Sequence, residues 1–262
     1  INMKCNSLEF KFSNSNAVIK IFGIGEVGES AINYMISNSL KSGDLYSIIG
    51  TDIKKQIQGT DLLFLIADTT EKNALNELLR MAKVGKNLNT LTIALITSEQ
   101  DSAIEELQEN VDAFIPMLGI PDTSLNEFIL GTVKNILDSI IQTGLINFDF
   151  ADLKEFTTSA GRCFTASGSA YGENRAQKAM ESVLSSASLN NINFQKIDSL
   201  LVNISSDDIN IIEFDTVGNK LTEVLPSEAT LKISVTLNDN LGDEFKIFLL
   251  CKGRRKIYLG VN

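Results

Sequence analysis

The sequence predicts an α/β fold in which a doubly wound parallel sheet is joined by a long helix to a smaller α+β domain. In the first half, short apolar runs alternate with amphipathic segments, which is the pattern of a parallel sheet covered by helices. A long amphipathic segment at 124–144 predicts the connecting helix. In the second half, short strands separated by Asn, Asp and Gly turns predict a mixed or antiparallel sheet.

Four apolar runs predict the strands of the first half, because strands buried on both faces lack polar alternation. The strands are expected at 17–25, 60–68, 91–97 and 112–116, and the helices between them at 29–40, 71–85 and 102–111. Gly85 follows the last apolar position of the second of these helices and is expected to form its C-cap.

The second half changes character after the long helix. Strands are expected at 199–205, 209–215, 231–238 and 244–253, and the one strong helix of this half at 172–186. These patterns divide the chain into a first domain at 1–125, a central helix at 126–146 and a second domain at 147–262.

Composition excludes several classes of function. The chain has 262 residues, a net charge of −10 and no histidine. Broad binding to nucleic acid is not expected, since it needs a basic surface, and imidazole catalysis is excluded. A metal site would need clustered carboxylates, and none is expected. No apolar run approaches the ~18–20 residues that span a bilayer, so membrane insertion is not expected and the cytoplasm is the expected location.

A glycine motif, GIGEVG, stands between the first predicted strand and its helix. Gly23, Gly25 and Gly28 fit the G-x-G-x-x-G spacing that brings backbone amides to a phosphate at a helix N-terminus. Glu26 and Glu29 oppose this, because their carboxylates would repel an anion and satisfy the helix dipole themselves. The motif predicts either a nucleotide site or a tight turn capped by its own acids.

Asp68 directly follows the second predicted strand, at 60–68. A carboxylate there either belongs to the same nucleotide site or caps the following helix, with Thr69 and Thr70 as further capping candidates. Capping is the expected role.

A second acidic motif, GLINFDFADLK at 144–154, follows the long helix. Asp149 and Asp152 are three residues apart, and Asn147 precedes them by two. Paired carboxylates of this kind can position a water for hydrolysis. Alternatively, Asn147 and Asp149 cap the turn and Asp152 caps a helix that begins just after it.

The motifs of the second half resemble those of the FtsZ family, the bacterial relatives of tubulin. Family members carry G-L-I-N-x-D-x-x-D after a long central helix, matched here at 144–152, and S-G-E-N-R-A, matched by YGENRA at 171–176. The resemblance extends from the long helix to about Gly253. It implies a truncated tubulin/FtsZ-type fold, with a Rossmann-like parallel sheet joined by the central helix to an α+β domain with a mixed sheet.

The first half departs from the family pattern where nucleotide would bind. Residues 19–36 resemble the family's first strand, glycine loop and helix, but EVGE at 26–29 replaces a run of glycines followed by Asn. The family's second phosphate loop, G-G-G-T-G-T-G, corresponds to 65–79, which contains no glycine. The base-stacking aromatic residue and its acidic partner fall near Asp122 and Asn126. The resemblance thus implies that most of the nucleotide-binding apparatus is lost.

In the family, the two aspartates complete the nucleotide site of the neighbouring subunit in a filament. The resemblance therefore implies that Asp149 and Asp152, with Asn147, act in trans. We expect an FtsZ-like cytoskeletal protein that works without bound cofactor, through self-association or through an FtsZ partner. One alternative is a divergent GTPase that needs GTP and magnesium and hydrolyses only on assembly. Another is a small-molecule-binding module whose ligand the sequence does not name.

Overall fold

The computed structural model describes residues 5–11, 17–38, 44–46, 52–97, 101–141, 144–157, 161–189 and 192–253. The chain forms two compact units. Unit 1 consists of Ile1–Lys134 with Thr157–Gly161, and unit 2 of Asn135–Phe156 with Arg162–Asn262. The sequence divided the chain instead at residues 125 and 146. The predicted fold class is confirmed, with a mainly parallel sheet in unit 1 and a mixed sheet in unit 2.

Unit 1 contains six strands in the order β3-β1-β2-β4-β5-β6. The strands are β1 (Cys5–Lys11), β2 (Val18–Ile24), β3 (Asp44–Tyr46), β4 (Leu62–Ala67), β5 (Leu91–Ile96) and β6 (Ala113–Pro116). The helices are α1 (Gly25–Ser37), α2 (Ile53–Ile57), α3 (Lys72–Asn87), α4 (Asp101–Asn110) and the start of α5 (Asp122–Ile141).

Strands β2, β4, β5 and β6 pair in parallel, as their apolar sequences predict. Every residue of β4 and β5 is buried, because helices cover both faces of such a sheet. The carboxyl ends of β2 and β4 are level, with Ile24 opposite Ala67. The turns that follow these two strands therefore lie side by side. Strands β1 and β3 and helix α2 were not predicted.

Gly85 does not cap α3, and that prediction was wrong. The helix continues to Asn87, and Gly85 is buried inside it. A β-carbon at this position would lie 2.7 Å from the side-chain oxygen of Thr92 on β5. Glycine therefore lets α3 pack closely on the sheet, and the left-handed residue after the helix is Asn89, with φ of 55°.

Helix α5 is the long helix that the sequence predicted, although it begins and ends slightly earlier. Its buried positions include Ile129, Val133, Ile136 and Leu137, which follow the helical spacing of three and four residues. It begins in unit 1 and ends in unit 2.

Unit 2 has a four-stranded sheet in the order β7-β10-β8-β9. The strands are β7 (Gly161–Ala170), β8 (Ile197–Ser206), β9 (Thr230–Leu237) and β10 (Phe245–Gly253), and the helices are α6 (Phe150–Thr157), α7 (Arg175–Leu184) and α8 (Ile211–Val224). Strand β10 is antiparallel to β7 and β8, whereas β8 and β9 are parallel and joined through α8. Helices α7 and α8 contribute Met180, Val183, Val217 and Leu221 to one apolar core with the sheet.

In unit 2 one predicted strand was wrong and one strand was missed. Residues 209–215 were predicted as a strand, but Ile211 begins α8. Asn210 accepts a hydrogen bond from the Glu213 amide, and the Glu213 side chain accepts one from the Asn210 amide. This capping box starts a helix despite the apolar run. Strand β7 was missed because its small and polar residues lack a strand pattern, and pairing with β10 holds it in place.

Candidate functional site

The glycine motif occupies the turn between β2 and α1 in unit 1. Gly25 begins α1 with φ of 74°, a conformation that glycine adopts without strain. A β-carbon on Gly23 would lie 2.1 Å from the carbonyl oxygen of Gly28, and one on Gly28 would lie 2.7 Å from that of Ile66. Gly23 and Gly28 therefore allow α1 to pack against β2 and β4. Each glycine has a conformational or packing role, and a nucleotide role for them stays a prediction.

The first turn of α1 carries an acidic side chain. Glu26 is exposed there, and the N-cap residue Ile24 supplies no capping side chain. A carboxylate at this end of a helix interacts favourably with the helix dipole. The turn therefore places negative charge where an anionic ligand would need positive potential.

Asp68 lies in the neighbouring turn, between β4 and α3. Its Oδ1 accepts hydrogen bonds from the backbone amide of Thr70 at 2.8 Å and from its hydroxyl at 2.9 Å. The N-cap of α3 is Glu71, and its side chain makes no capping hydrogen bond. The prediction that Asp68, Thr69 or Thr70 caps this helix was therefore wrong. Asp68 instead closes a turn two residues long, as Asp and Asn often do.

The start of α5 contains Asp122 and Asn126, the positions near which the family's base-stacking aromatic residue and its acidic partner fall. Asp122 is exposed in the first turn of the helix, and the Asn126 amide donates a hydrogen bond to the Ser30 hydroxyl at 2.9 Å. Asn126 thus joins α5 to α1 within unit 1. Neither side chain provides an aromatic face on which a base could stack.

Residues 144–152 of unit 2, called the aspartate loop from here on, are attached to strand β9. The amides of Leu145 and Val235 donate hydrogen bonds to the carbonyl oxygens of Val235 and Ile146, at 2.9 and 2.8 Å respectively. A β-carbon on Gly144 would lie 1.9 Å from the carbonyl oxygen of Val235, so only glycine fits there. The Asn147 side chain accepts a hydrogen bond from the Gly144 amide at 2.5 Å, which closes the turn.

Asp149 and Asp152 lie together at the N-terminus of α6. The Asp152 amide donates a hydrogen bond to Asp149 Oδ1 at 2.8 Å, and the Asp149 amide donates one to Asp152 Oδ2 at 2.9 Å. This reciprocal pair is a capping box built from two aspartates. The alternative expected Asp149 to cap the turn and Asp152 to cap the helix, whereas in the structure Asp149 caps the helix and Asp152 lies in its first turn. The helix begins at Phe150, earlier than that alternative expected.

Lys232 of β9 pairs with Asp152, and no local sequence pattern predicts this contact. Lys232 Nζ lies 2.8 Å from Asp152 Oδ1 and 2.6 Å from Glu155 Oε2. The hydrogen bond from Lys232, followed by that from the Asp149 amide, holds the pKa of Asp152 below its ordinary value. Asp152 and Glu155 in turn raise the pKa of Lys232. Asp152 is thus a firmly ionised and anchored carboxylate.

Asp149 is the more available of the two carboxylates. Its side chain is exposed, and no donor among the described residues reaches its Oδ2. An exposed carboxylate oxygen on a backbone held by β9 can orient a water or accept a proton from one. Asn147 is also exposed in the same loop. The geometry is compatible with action on a group outside unit 2.

Sequence reasoning missed a buried arginine. Arg175, at the start of α7, pairs with Glu213 at 2.7 Å, Asp208 at 2.6 Å and Asp243 at 3.4 Å. Its guanidinium also lies 5.6 Å from the centre of the Phe245 ring. The YGENRA segment marked this residue as part of a resemblance, but its partners lie far away in the sequence. Arg175 fixes the start of α8 and the β9–β10 turn to α7.

Two further observations concern the described residues. They contain no group of three or more Cys, Asp or Glu side chains arranged to hold a metal ion. Among their helices, none is both long and apolar enough to cross a membrane.

We expect acid to weaken the anchoring of Asp152. Because its folded pKa is lowered, its contribution to stability is complete above the unfolded value of about 3.9 and is lost as pH falls through the folded value. Asp152→Asn should lower stability at neutral pH and flatten the loss of stability between about pH 5 and pH 2. Urea denaturation over a pH series measures this. Asp215→Asn, at an exposed position of α8, is the control. If the free energy of unfolding of Asp152→Asn depends on pH in the same way as that of the wild type, this prediction is contradicted.

Comparison with protein families and curated proteins gives one consistent result. The FtsZ family C-terminal domain matches residues 161–254. The chain is similar to the cell division protein FtsZ of Coxiella burnetii, at 27% identity covering 92% of this chain and 80% of that protein. It is also similar to FtsZ of Buchnera aphidicola subsp. Baizongia pistaciae, at 25% identity and with the same coverage of both chains.

Comparison with solved structures gives the same fold. An empty FtsZ dimer from M. jannaschii matches with a TM-score of 0.68 and 21% identity, covering 78% of this chain and 66% of that one. A GTPγS-form protofilament of Bacillus thuringiensis serovar israelensis TubZ matches with a TM-score of 0.59 and 11% identity, covering 76% and 62%. The chain thus spans slightly less than two thirds of these structures.

Proposed function

Because the chain belongs to the FtsZ/tubulin family of cytoskeletal proteins, we propose that it docks its aspartate loop on an FtsZ subunit that carries nucleotide, and does not hold GTP itself. The observation that carries this proposal is the contrast between unit 1 and unit 2 of the chain. The aspartate loop is fully formed and exposed, whereas carboxylates stand at the turns where unit 1 would need to receive phosphate. A cytoplasmic location is part of the proposal.

Charge at the edge of the parallel sheet supports the loss of nucleotide binding. The turns after β2 and β4 lie side by side, and they carry Glu26, Asp68 and Glu71. A triphosphate held there would meet several carboxylates within a few ångströms, at a cost of about 1–4 kcal/mol for each pair. The second turn also lacks the glycines whose amides could face a phosphate.

Exposed apolar side chains beside the aspartate loop support a docking role. Register places Leu237 at the end of β9 and Ile146 beside the same strand, and Ile211 and Ile212 begin α8, five residues after β8 ends opposite Leu237. This apolar corner consists of Leu145, Ile146, Ile211, Ile212 and Leu237. Ile211 and Ile212 are 70% and 73% exposed, which is unusual for adjacent large aliphatic residues. Such a surface gains stability when a partner covers it.

The proposed occupant of the apolar corner is an FtsZ subunit with bound GTP. A relative of this chain is described as a dimer and another as a protofilament, so subunit contacts are a property of those proteins. A second copy of this chain would present Glu26 and Asp68 where the loop needs a γ-phosphate and its water. An FtsZ subunit with its own nucleotide gives Asp149 a substrate, so the chain would act as an end-cap or activator.

We expect the purified chain to pellet with FtsZ of the same organism in the presence of GTP. Ile212→Glu should reduce co-pelleting at least about tenfold, because a charge would be buried at the interface. Ile36→Glu, at an exposed isoleucine of α1 in unit 1, is the matched control and should pellet normally. Equal pelleting of the two variants, or none by the wild type, would reject the proposed partner. Pelleting without FtsZ would indicate self-association.

The same preparation tests the loss of nucleotide binding. A ligand present at ~100 times its dissociation constant adds about 2.7 kcal/mol of apparent stability. Millimolar GTP with magnesium is expected to leave the thermal midpoint unchanged. A clear rise, together with GTP turnover that increases with the concentration of the chain alone, would replace this proposal with the self-assembling GTPase. The intact strand-turn-helix at Gly25 is the feature that favours that alternative.

A further inference from the structure

The two carboxylates of the aspartate loop differ in how their oxygens are engaged. Asp152 uses both: Oδ2 accepts from the Asp149 amide, and Oδ1 accepts from Lys232. Asp149 uses Oδ1 for the Asp152 amide, and its Oδ2 meets no donor among the described residues. The pair is therefore asymmetric, although its sequence spacing suggests two equivalent groups.

Lys232 causes this asymmetry. It lies on β9, directly beside the loop, and 30% of its side chain is exposed, similar to the 29% of Asp152. Strand β9 fixes the backbone of Lys232 relative to the loop, because the loop is hydrogen-bonded to the same strand at Val235. Lys232 also holds Glu155, so a single cation restrains two carboxylates of α6.

We propose that Lys232 is a positioning residue that withdraws Asp152 from chemistry and leaves Asp149 as the one carboxylate offered to a partner's nucleotide. This proposal rests on the proposed function, because the water concerned belongs to a nucleoside triphosphate on another subunit. A carboxylate with both oxygens engaged and a cation in contact is a weak proton acceptor. The bound chain then promotes GTP hydrolysis by its partner through one carboxylate, and Lys232 limits the extent of this activation.

Removing the cation has two opposite consequences. Lys232→Met keeps the length of the side chain and frees Asp152 Oδ1, so a second carboxylate can reach the water. The same change leaves Asp152 and Glu155 without their cation, next to Asp149, which increases repulsion from a phosphate-bearing partner. Turnover must therefore be expressed per bound complex, and binding must be measured separately.

The first test uses the chain without a partner. Carbon-13 NMR titration of the side-chain carboxyls follows Asp152 in wild type, Lys232→Met and Lys232→Arg. Its pKa should rise in Lys232→Met and stay low in Lys232→Arg. Lys220→Met, which removes an exposed lysine that pairs with Glu223 at 3.0 Å, is the matched control and should change nothing. An Asp152 titration in Lys232→Met identical to that of wild type would overturn the proposal.

The second test measures GTP turnover by FtsZ of the same organism, divided by the amount of chain bound. Lys232→Met should raise this ratio at least about threefold, because Asp152 becomes available as a base beside Asp149, and Lys232→Arg should restore the wild-type value. An unchanged or lower ratio for Lys232→Met would overturn the proposal. If the wild type does not bind at all, the proposed function and action in trans both fail, while the titration still decides whether Lys232 holds Asp152.

Discussion

Replacing Arg175 with methionine is expected to lower the free energy of unfolding by about 2–4 kcal/mol, because it leaves a buried carboxylate without its countercharge. Glu213 is the partner most shielded from water, with 16% of its side chain exposed, whereas Asp208 is 81% exposed and contributes less. Loss of the cation–π contact with Phe245 adds to the effect. Methionine retains an unbranched apolar stem, so the lost charge dominates the change.

Urea denaturation measures this effect as a shift of the midpoint at constant slope. Lys220→Met is the control, since it removes an exposed ion pair that is worth about 0.3–0.5 kcal/mol within a helix. Arg175→Lys should lie between, because an ammonium cannot contact three carboxylates in the directions of a guanidinium. A midpoint for Arg175→Met equal to that of Lys220→Met would show that the network does not stabilise unit 2.

The largest effect on function is expected at Asp149. Asp149→Asn should lower the GTP turnover of a bound FtsZ partner about 100-fold or more, which is the scale of one general base. Asparagine is as good an N-cap as aspartate, so the hydrogen bond to the Asp152 amide and the start of α6 should survive. The change therefore separates the charge of Asp149 from its capping role.

Binding and turnover together decide this prediction. Asp149→Asn should pellet with FtsZ as the wild type does. Asp52→Asn is the matched control, because Asp52 also caps a helix, accepting from the Lys55 amide at 3.3 Å, but lies in unit 1. If FtsZ bound to Asp149→Asn hydrolyses GTP at the rate seen with the wild-type chain, the water-polarising role is ruled out. Loss of pelleting would instead assign Asp149 to docking.

Local sequence predicted much of the fold, because burial on both faces gives strands a distinct composition. Residues 62–67 and 91–96 are uninterrupted apolar runs, and both are completely buried strands. The start of α8 was missed for the opposite reason. Ile209, Ile211 and Ile212 favour a strand by composition, yet the hydrogen bonds between Asn210 and Glu213 begin a helix there.

Local sequence predicted the candidate residues of the site but not the interactions that distinguish them. The spacing of Asp149 and Asp152 indicated both a catalytic pair and a cap, and their mutual hydrogen bonds show the cap. Lys232 is 80 residues from Asp152 along the chain, and Arg175 is 33 residues from Asp208. Such pairs form through folding of the whole unit, so no local pattern reveals them.

The attachment of the aspartate loop to β9 also affects the solubility of the protein. Strand β9 is the last strand of its sheet, and an uncovered strand edge can pair with the edge of another molecule and start aggregation. The bridge between Ile146 and Val235 occupies part of that edge, and Lys232 adds a charge along it. The segment offered to a partner therefore also shields the sheet from unwanted association, so cutting or deleting the loop would expose a surface prone to fibril formation.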